Sequence, residues 1–113
     1  MSGRRRLIEF RGSALDDLRS FPSEARQEAG YQLHRVQQGN HPSDWKPMTS
    51  VGKGVSEIRI RDESGAYRVL YVTKFAAAVY VLHCFEKKTE KTRQQDIDLA
   101  AKRYRELVQE YKR

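Results

Sequence analysis

The chain has 113 residues, which suits one domain with a single modest core, and we expect one domain over residues 1–113. Its 22 Lys and Arg residues against 15 Asp and Glu give a net charge of +7. This excess favours a polyanionic partner such as nucleic acid or an acidic protein. The only cysteine, Cys84, excludes a disulfide framework and a thiolate zinc site. No apolar span of about 18 residues is present, so we expect a soluble, cytoplasmic protein. We also expect no metal and no other cofactor.

Basic residues are spread unevenly along the chain. Residues 1–52 hold 8 basic and 6 acidic residues, whereas residues 53–113 hold 14 and 9. We therefore expect any anion-binding site in the second half. The basic start, MSGRRRL, resembles the first region of a signal peptide, but the apolar stretch that such a peptide needs does not follow it.

The first part of the chain predicts a strand followed by a helical hairpin. RRLIEF (residues 5–10) is a short strand candidate, and SALDDLRSF (13–21) has apolar residues at helical spacing. PSEARQEAGYQLHRVQQG (22–39) predicts a longer helix that begins at Pro22 or Ser23 and ends before a glycine.

The second part predicts a loop, three strands and a helix. Residues 39–54 are polar and contain prolines and glycines, which is typical of a loop. The strands are VSEIRIR (55–61), YRVLYV (67–72) and AVYVLHCF (78–85), and the helix is TRQQDIDLAAKRYRELVQEY (92–111). Short connections allow antiparallel hairpins. The order predicts an α+β fold: an antiparallel sheet of about four strands packed against the N-terminal helical hairpin, with a C-terminal helix.

Charged residues alternate along the first of the three strands. With a side-chain period of two, Glu57, Arg59 and Arg61 share the face opposite to two isoleucines. Arg68 on the next strand comes near Arg59 or Arg61 if the hairpin closes. Guanidinium groups held together fit a phosphate, because their planar forks bind oxygens bidentately and keep their charge. The same pattern also fits an ordinary polar face with Glu–Arg pairs, so both interpretations stay open.

Lysines provide further candidates for anion binding. Lys87, Lys88 and Lys91 follow the last strand, so they emerge at one edge of the sheet. Lys53 lies between two glycines, where backbone amides and an ammonium group can approach an anion. Solvated charge at a strand end, and an ordinary turn around Lys53, are the alternatives.

The histidines and the cysteine indicate packing rather than chemistry. No pair of histidines has metal-ligand spacing. His83 shares strand parity with Val79, Val81 and Phe85, which favours a satisfied core or edge histidine over a catalyst. Cys84 lies in the same apolar run and is interpreted as a buried thiol.

The string GKGVSEIRIRDESGAYRVLYV, with YVLHCFEKKTEKT after it and a helical hairpin before it, resembles the RelE/ParE toxin superfamily. The likeness is greatest to its HigB-type branch, including phage-derived relatives, and runs from residue 6 to about residue 108. It implies a RelE-like fold and the toxin of a type II toxin–antitoxin pair. Many members cut mRNA in the ribosomal A site, whereas others inhibit DNA gyrase.

The resemblance therefore implies an mRNA interferase: a ribosome-dependent endonuclease that inhibits translation by metal-free phosphodiester cleavage. The implied partners are the 70S ribosome with its mRNA and a cognate antitoxin, often a helix-turn-helix protein. The alternatives are a non-catalytic gyrase inhibitor and a remnant that binds only its antitoxin or RNA.

Residues carried over from the superfamily lie on the three strands and directly after the last of them. Arg59 and Arg68 match its basic residues, and Lys87 or Lys88 matches the basic residue after the last strand. Glu57 stands where RelE itself carries lysine, and RelE's C-terminal tyrosine has no clear match. The arginines would hold phosphate oxygens, Glu57 is the candidate base, and Lys87, Lys88 or His83 is the candidate acid. From the residue pattern and the resemblance together, we predict the catalytic residues Glu57, Arg59, Arg68, Lys87 and Lys88 and the RNA-binding residues Lys53, Arg61, His83 and Lys91.

Overall fold

A computed structural model describes residues 5–112 of the chain. Residues 1–4 of the basic start, which resembles the first region of a signal peptide, lie outside the described residues. The elements in chain order are β1 (Leu7–Phe10), α1 (Ala14–Arg19), α2 (Ser23–Gln37), β2 (Trp45–Pro47), β3 (Val55–Asp62), β4 (Gly65–Val72), β5 (Ala78–Glu86) and α3 (Gln94–Lys112). No helix within residues 5–112 combines the length and the apolar character needed to cross a membrane.

The strands form one sheet in the order β1-β5-β4-β3-β2. The α+β fold with a helical hairpin and a C-terminal helix is confirmed. Two details differ from the expectation. A short edge strand, β2, pairs with β3 inside the predicted loop, and β1 pairs with β5 in parallel rather than antiparallel. The parallel pair is possible because the two helices and three further strands separate β1 from β5 in the chain.

The sheet separates two apolar clusters, one on each face. Helices α1 and α2 cover the first cluster, and α3 covers the second. Cys84 is buried in the first cluster as predicted, and this burial raises the pKa of its thiol. The helix α3 packs chiefly against β5, so it covers only one end of its face.

A β-bulge in β5 decides which side chains face α3. Leu82 has no partner in the register between β4 and β5, so the side-chain alternation shifts by one residue there. His83 and Phe85 therefore lie on the α3 side, whereas Val79 and Val81 lie in the first cluster. The predicted common parity of His83 with Val79 and Val81 is wrong for this reason.

A candidate nucleic-acid interface

The part of the α3-side face that the helix leaves uncovered carries most of the predicted site residues. We call it the open face, and its members are Lys46, Glu57, Arg59, Arg61, Arg68 and Lys87. Cross-strand register aligns them in rows. Arg59 lies directly opposite Arg68, which confirms the predicted approach, and the backbone amide of Lys87 donates to Ala66, the direct partner of Arg61. The basic residues of three strands thus meet on one surface.

A buried ion pair lies at the centre of the open face. Only 1% of Glu57 and 4% of Arg68 is exposed, and Arg68 Nε lies 3.6 Å from Glu57 Oε1. Arg68 Nη1 donates to the carbonyl of Tyr67 at 3.1 Å. Neither oxygen of the Glu57 carboxylate, nor Arg68 Nε, has a hydrogen-bond partner among the described residues. The guanidinium is therefore held in place while part of its donor capacity stays unused.

Burial has an electrostatic effect on the cations of the open face. It is the main cause that lowers the pKa of Arg68, while the charge of Glu57 acts in the opposite direction. The pKa of Lys87 is also lowered, first by desolvation and then by the nearby charge of Arg68. Arginine keeps its charge at working pH, whereas a lysine with a lowered pKa gives up its proton more readily.

An open cavity of about 480 Å³ lies beside the ion pair. Arg61 and Arg68 line it on one side, and the turn that follows β5, with Lys87 and Lys88, lines it on the other. Lys87 Nζ donates to the carbonyl of Glu90 at 2.6 Å, so the turn folds back on itself. Lys88 and Lys91 are exposed on this turn. The cavity has the size of a ligand site. Its lining combines four cations with the carboxylates of Asp62, Glu63 and Glu90.

Two predicted RNA-binding residues lie apart from this cavity. Lys53 precedes β3, at the end opposite to Arg61, and the length of the strand separates them by roughly 25 Å. Its carbonyl accepts a hydrogen bond from Tyr104 on α3. His83 is 5% exposed, and its Nε2 lies 2.8 Å from Asp96 Oδ1 at the start of α3. The structure thus brings Glu57, Arg59, Arg61, Arg68 and Lys87 together, and places Lys53 and His83 elsewhere; their contact with RNA stays a prediction.

Lys46 is a member of the open face that the sequence analysis missed. It lies directly opposite Glu57 because β2 pairs with β3. Residues 39–54 were interpreted as a loop, and a three-residue edge strand that ends in proline leaves almost no pattern to detect. The aromatic Trp45 beside Lys46 was the only available sign of a strand.

The described residues 5–112 contain no group of three or more His, Cys, Asp or Glu side chains placed to hold a metal ion. What the open face offers instead is cationic and hydrogen-bonding: guanidinium forks opposite each other and lysines at two edges. This arrangement suits the binding of a phosphodiester backbone.

Comparisons with known proteins agree with this fold. Residues 16–105 match the family model of phage-derived Gp49-like proteins (DUF891), and no curated protein matches. Among solved structures, an arginine-to-alanine double mutant of the Escherichia coli toxin RelE in the free state is similar, with a TM-score of 0.66 and 19% identity. The similarity covers 88% of this chain and 98% of that chain, and it shows the fold. Because the family model matches most of the chain, the protein belongs to the phage-derived Gp49-like family, a family of RelE/HigB-type toxins.

Proposed function

We propose that this chain is the toxin of a type II toxin–antitoxin pair and that it cleaves mRNA on the ribosome. The observation that supports this is the open face, where basic side chains of β2, β3 and the turn after β5 surround a buried Glu57–Arg68 pair. Its partners are then the ribosome with its mRNA and an antitoxin that neutralises the toxin. Guanidinium groups that face each other across two strands are suited to a phosphodiester, and this favours cleavage over gyrase inhibition, which does not require them.

The proposed reaction is an internal transfer at phosphorus. The ribose 2′-oxygen bonds to the adjacent phosphorus, and the bond from phosphorus to the 5′-oxygen of the next nucleotide breaks. A base removes the proton of the 2′-hydroxyl, and an acid gives a proton to the leaving 5′-oxygen. The products are a 2′,3′-cyclic phosphate and a free 5′-hydroxyl, and the step needs no other reactant.

The two facing arginines are suited to stabilise the phosphorane-like transition state. Arg59 is exposed and can reach an incoming backbone, while Arg68 is already fixed by the carbonyl of Tyr67. Donors that are positioned before the reaction act most strongly where charge develops on the equatorial oxygens. Arg61 and Lys46 lie at two sides of this pair, where they can contact phosphates of the neighbouring nucleotides.

In this proposal Lys87 is the acid and Glu57 is the base. The lowered pKa of Lys87 makes its ammonium group a better acid toward the leaving 5′-oxygen, whereas Lys88 lies further out on the turn. Glu57 is the candidate base, and its carboxylate reaches a 2′-hydroxyl only after it leaves Arg68, whose guanidinium stays on the Tyr67 carbonyl. If the ribosome positions the mRNA, a weak base suffices, since orientation alone removes several kcal/mol of the barrier.

Expression of the chain with subsequent mapping of mRNA ends tests the proposal. We expect new 5′ ends inside codons that ribosomes occupy, and translation arrest. Arg68→Ala should slow cleavage about 10²–10³-fold, because it removes a prepositioned donor. Arg105→Ala, which removes an exposed arginine on α3, is the matched control and should cleave like the unmodified chain.

A second variant separates catalysis from folding. Arg68→Ala leaves Glu57 buried without a counter-charge, so the variant must be checked by circular dichroism. Arg59→Ala removes an exposed side chain and should lose cleavage while the fold is kept. Growth arrest with intact mRNA and a DNA-damage response would instead support gyrase inhibition and overturn the nuclease proposal.

A further inference from the structure

Glu57 stands out because an acidic side chain lies buried in the middle of a basic surface. Its direct cross-strand neighbours are Lys46 on β2 and Leu70 on β4, and Arg59 follows two residues later on the same face. The Glu57 carboxylate is only 1% exposed and accepts no hydrogen bond from the described residues. It therefore loses its hydration without forming hydrogen bonds that would compensate for the loss. Its compensation here comes from the charges of the surrounding cations, and Arg68 is the nearest of these that the structure pairs with it.

The pair between Glu57 and Arg68 is a contact of charges without a hydrogen bond. The distance of 3.6 Å from Arg68 Nε to Glu57 Oε1 is longer than the 2.7–2.9 Å of a charge-assisted hydrogen bond. Nε therefore keeps its donor capacity, even though the guanidinium is anchored through Nη1 on the Tyr67 carbonyl. A phosphate that accepted hydrogen bonds from this guanidinium would hold it more strongly than Glu57 does.

Removal of the carboxylate would leave a cluster of like charges. Arg59 and Arg68 face each other across the ladder, and Arg61 and Lys87 flank them. The charges of Arg59 and Arg61 lower the pKa of Arg68, and the charge of Glu57 counteracts them. In the free chain Glu57 thus partly neutralises the central guanidinium.

We propose that Glu57 is a positioning residue that occupies the electrostatic place of an RNA phosphate at Arg68 until RNA binds, and that binding exchanges the carboxylate for the phosphate. The inference rests on the proposed function, because it names RNA as the anion. As a consequence, the protein binds free RNA weakly. Only RNA that another body, such as a ribosome, already holds in position displaces Glu57 efficiently.

The variant Glu57→Gln tests the exchange, because glutamine keeps the shape and removes the negative charge. The probe is a short RNA with 2′-O-methyl groups, which binds but offers no 2′-hydroxyl for cleavage. We expect Glu57→Gln to bind it about tenfold more tightly, which corresponds to ~1.4 kcal/mol. The slope of log affinity against log salt should increase in magnitude by about the contribution of one additional phosphate contact. Glu106→Gln on the exposed side of α3 makes the same change in net charge and should change neither quantity.

Two further measurements decide between positioning and mere structure. In an Arg68→Met background, Glu57→Gln should no longer tighten binding, since the contested guanidinium is absent. If Glu57→Gln does not fold, Glu57→Met, which keeps the volume without a charge, replaces it. Unchanged or weaker binding by a folded Glu57 variant, or an equal gain in Glu106→Gln, would overturn the inference.

Inorganic pyrophosphate distinguishes a failure of this inference from a failure of the proposed function. If no variant binds RNA but Glu57→Gln alone gains affinity for pyrophosphate, the exchange at Arg68 stands and the RNA function fails. If RNA is bound and cleaved but Glu57→Gln gains affinity for neither probe, the function stands and the exchange is wrong.

Discussion

The two ends of the α3-side face are built from the same strands and have opposite chemistry. At one end, Leu70, Tyr80 and other apolar residues pack under Leu107 of α3. At the other end, the open face presents the exposed Arg59 to solvent, and the buried Arg68 lines the cavity. Arg68 and Leu70 are only two residues apart on β4, so the change from core to site occurs within a single strand. A small domain can thus support a charged site directly on its core, without a separate loop for it.

The border between the two ends is marked by the contact of His83 with Asp96. The bulge turns His83 toward α3, and Asp96 in the first turn of the helix accepts a hydrogen bond from its Nε2. The ring of His83 also stacks on Phe85, the cross-strand partner of Arg68, with 5.0 Å between ring centroids. This contact lies where the cover of α3 begins.

The largest effect on stability is expected at the covered end. Leu107→Ala removes a side chain with 0% exposure and should lower the free energy of unfolding by ~2–5 kcal/mol. Urea denaturation measures this loss. Leu7→Ala, at a position that is 74% exposed, is the matched control and should change stability by less than about 0.5 kcal/mol. A loss for Leu107→Ala as small as that of Leu7→Ala would show that α3 does not form a core with the sheet.

A smaller effect is expected at the border. Asp96→Ala leaves both ring nitrogens of His83 buried without a protein partner, because Nδ1 already lacks one among the described residues. We expect a loss of ~1–3 kcal/mol in the free energy of unfolding. Asp98→Ala removes a carboxylate that is exposed in the same helical turn, and it should cost clearly less. Equal costs would mean that helix-terminal charge, rather than the contact with His83, explains the effect.

The elements of the fold were predictable because each has a strong local pattern. The hairpin of α1 and α2, the three long strands and α3 follow from apolar periodicity and from turn residues. The parallel pairing of β1 and the edge strand β2 were not predictable, since both depend on long-range partners and have four and three residues respectively. Short strands of this kind are selected by tertiary contacts rather than by their own sequence.

The site residues were predictable where side chains alternate regularly along a strand, and unpredictable where a bulge interrupts this alternation. Arg59 and Arg68 follow from the period of two and one tight hairpin, and the register confirms that they face each other. His83 was assigned to the wrong face, because the bulge at Leu82 depends on pairing between two strands. The burial of Glu57 beside Arg68 was also not visible, since alternation gives the face of a residue but not the depth of its side chain.

The smallest effect concerns Tyr71, which lies in the first cluster on the opposite side of the sheet from the open face. Burial raises the pKa of Tyr71 to about 12, and a hydrogen bond with Ser56 opposes this shift only in part. Since the folded pKa lies above the ordinary value of 10.0, this contribution to stability is complete below pH 10 and is lost as the pH rises toward 12. At pH 11 we expect the loss to be about 1 kcal/mol. Tyr71→Phe should remove this part of the alkaline dependence in urea denaturation, whereas Tyr31→Phe, at an exposed position, should leave it unchanged. An identical pH profile for Tyr71→Phe and the unmodified chain would contradict this prediction. It would show that burial in the first cluster does not hinder ionisation of the Tyr71 phenol.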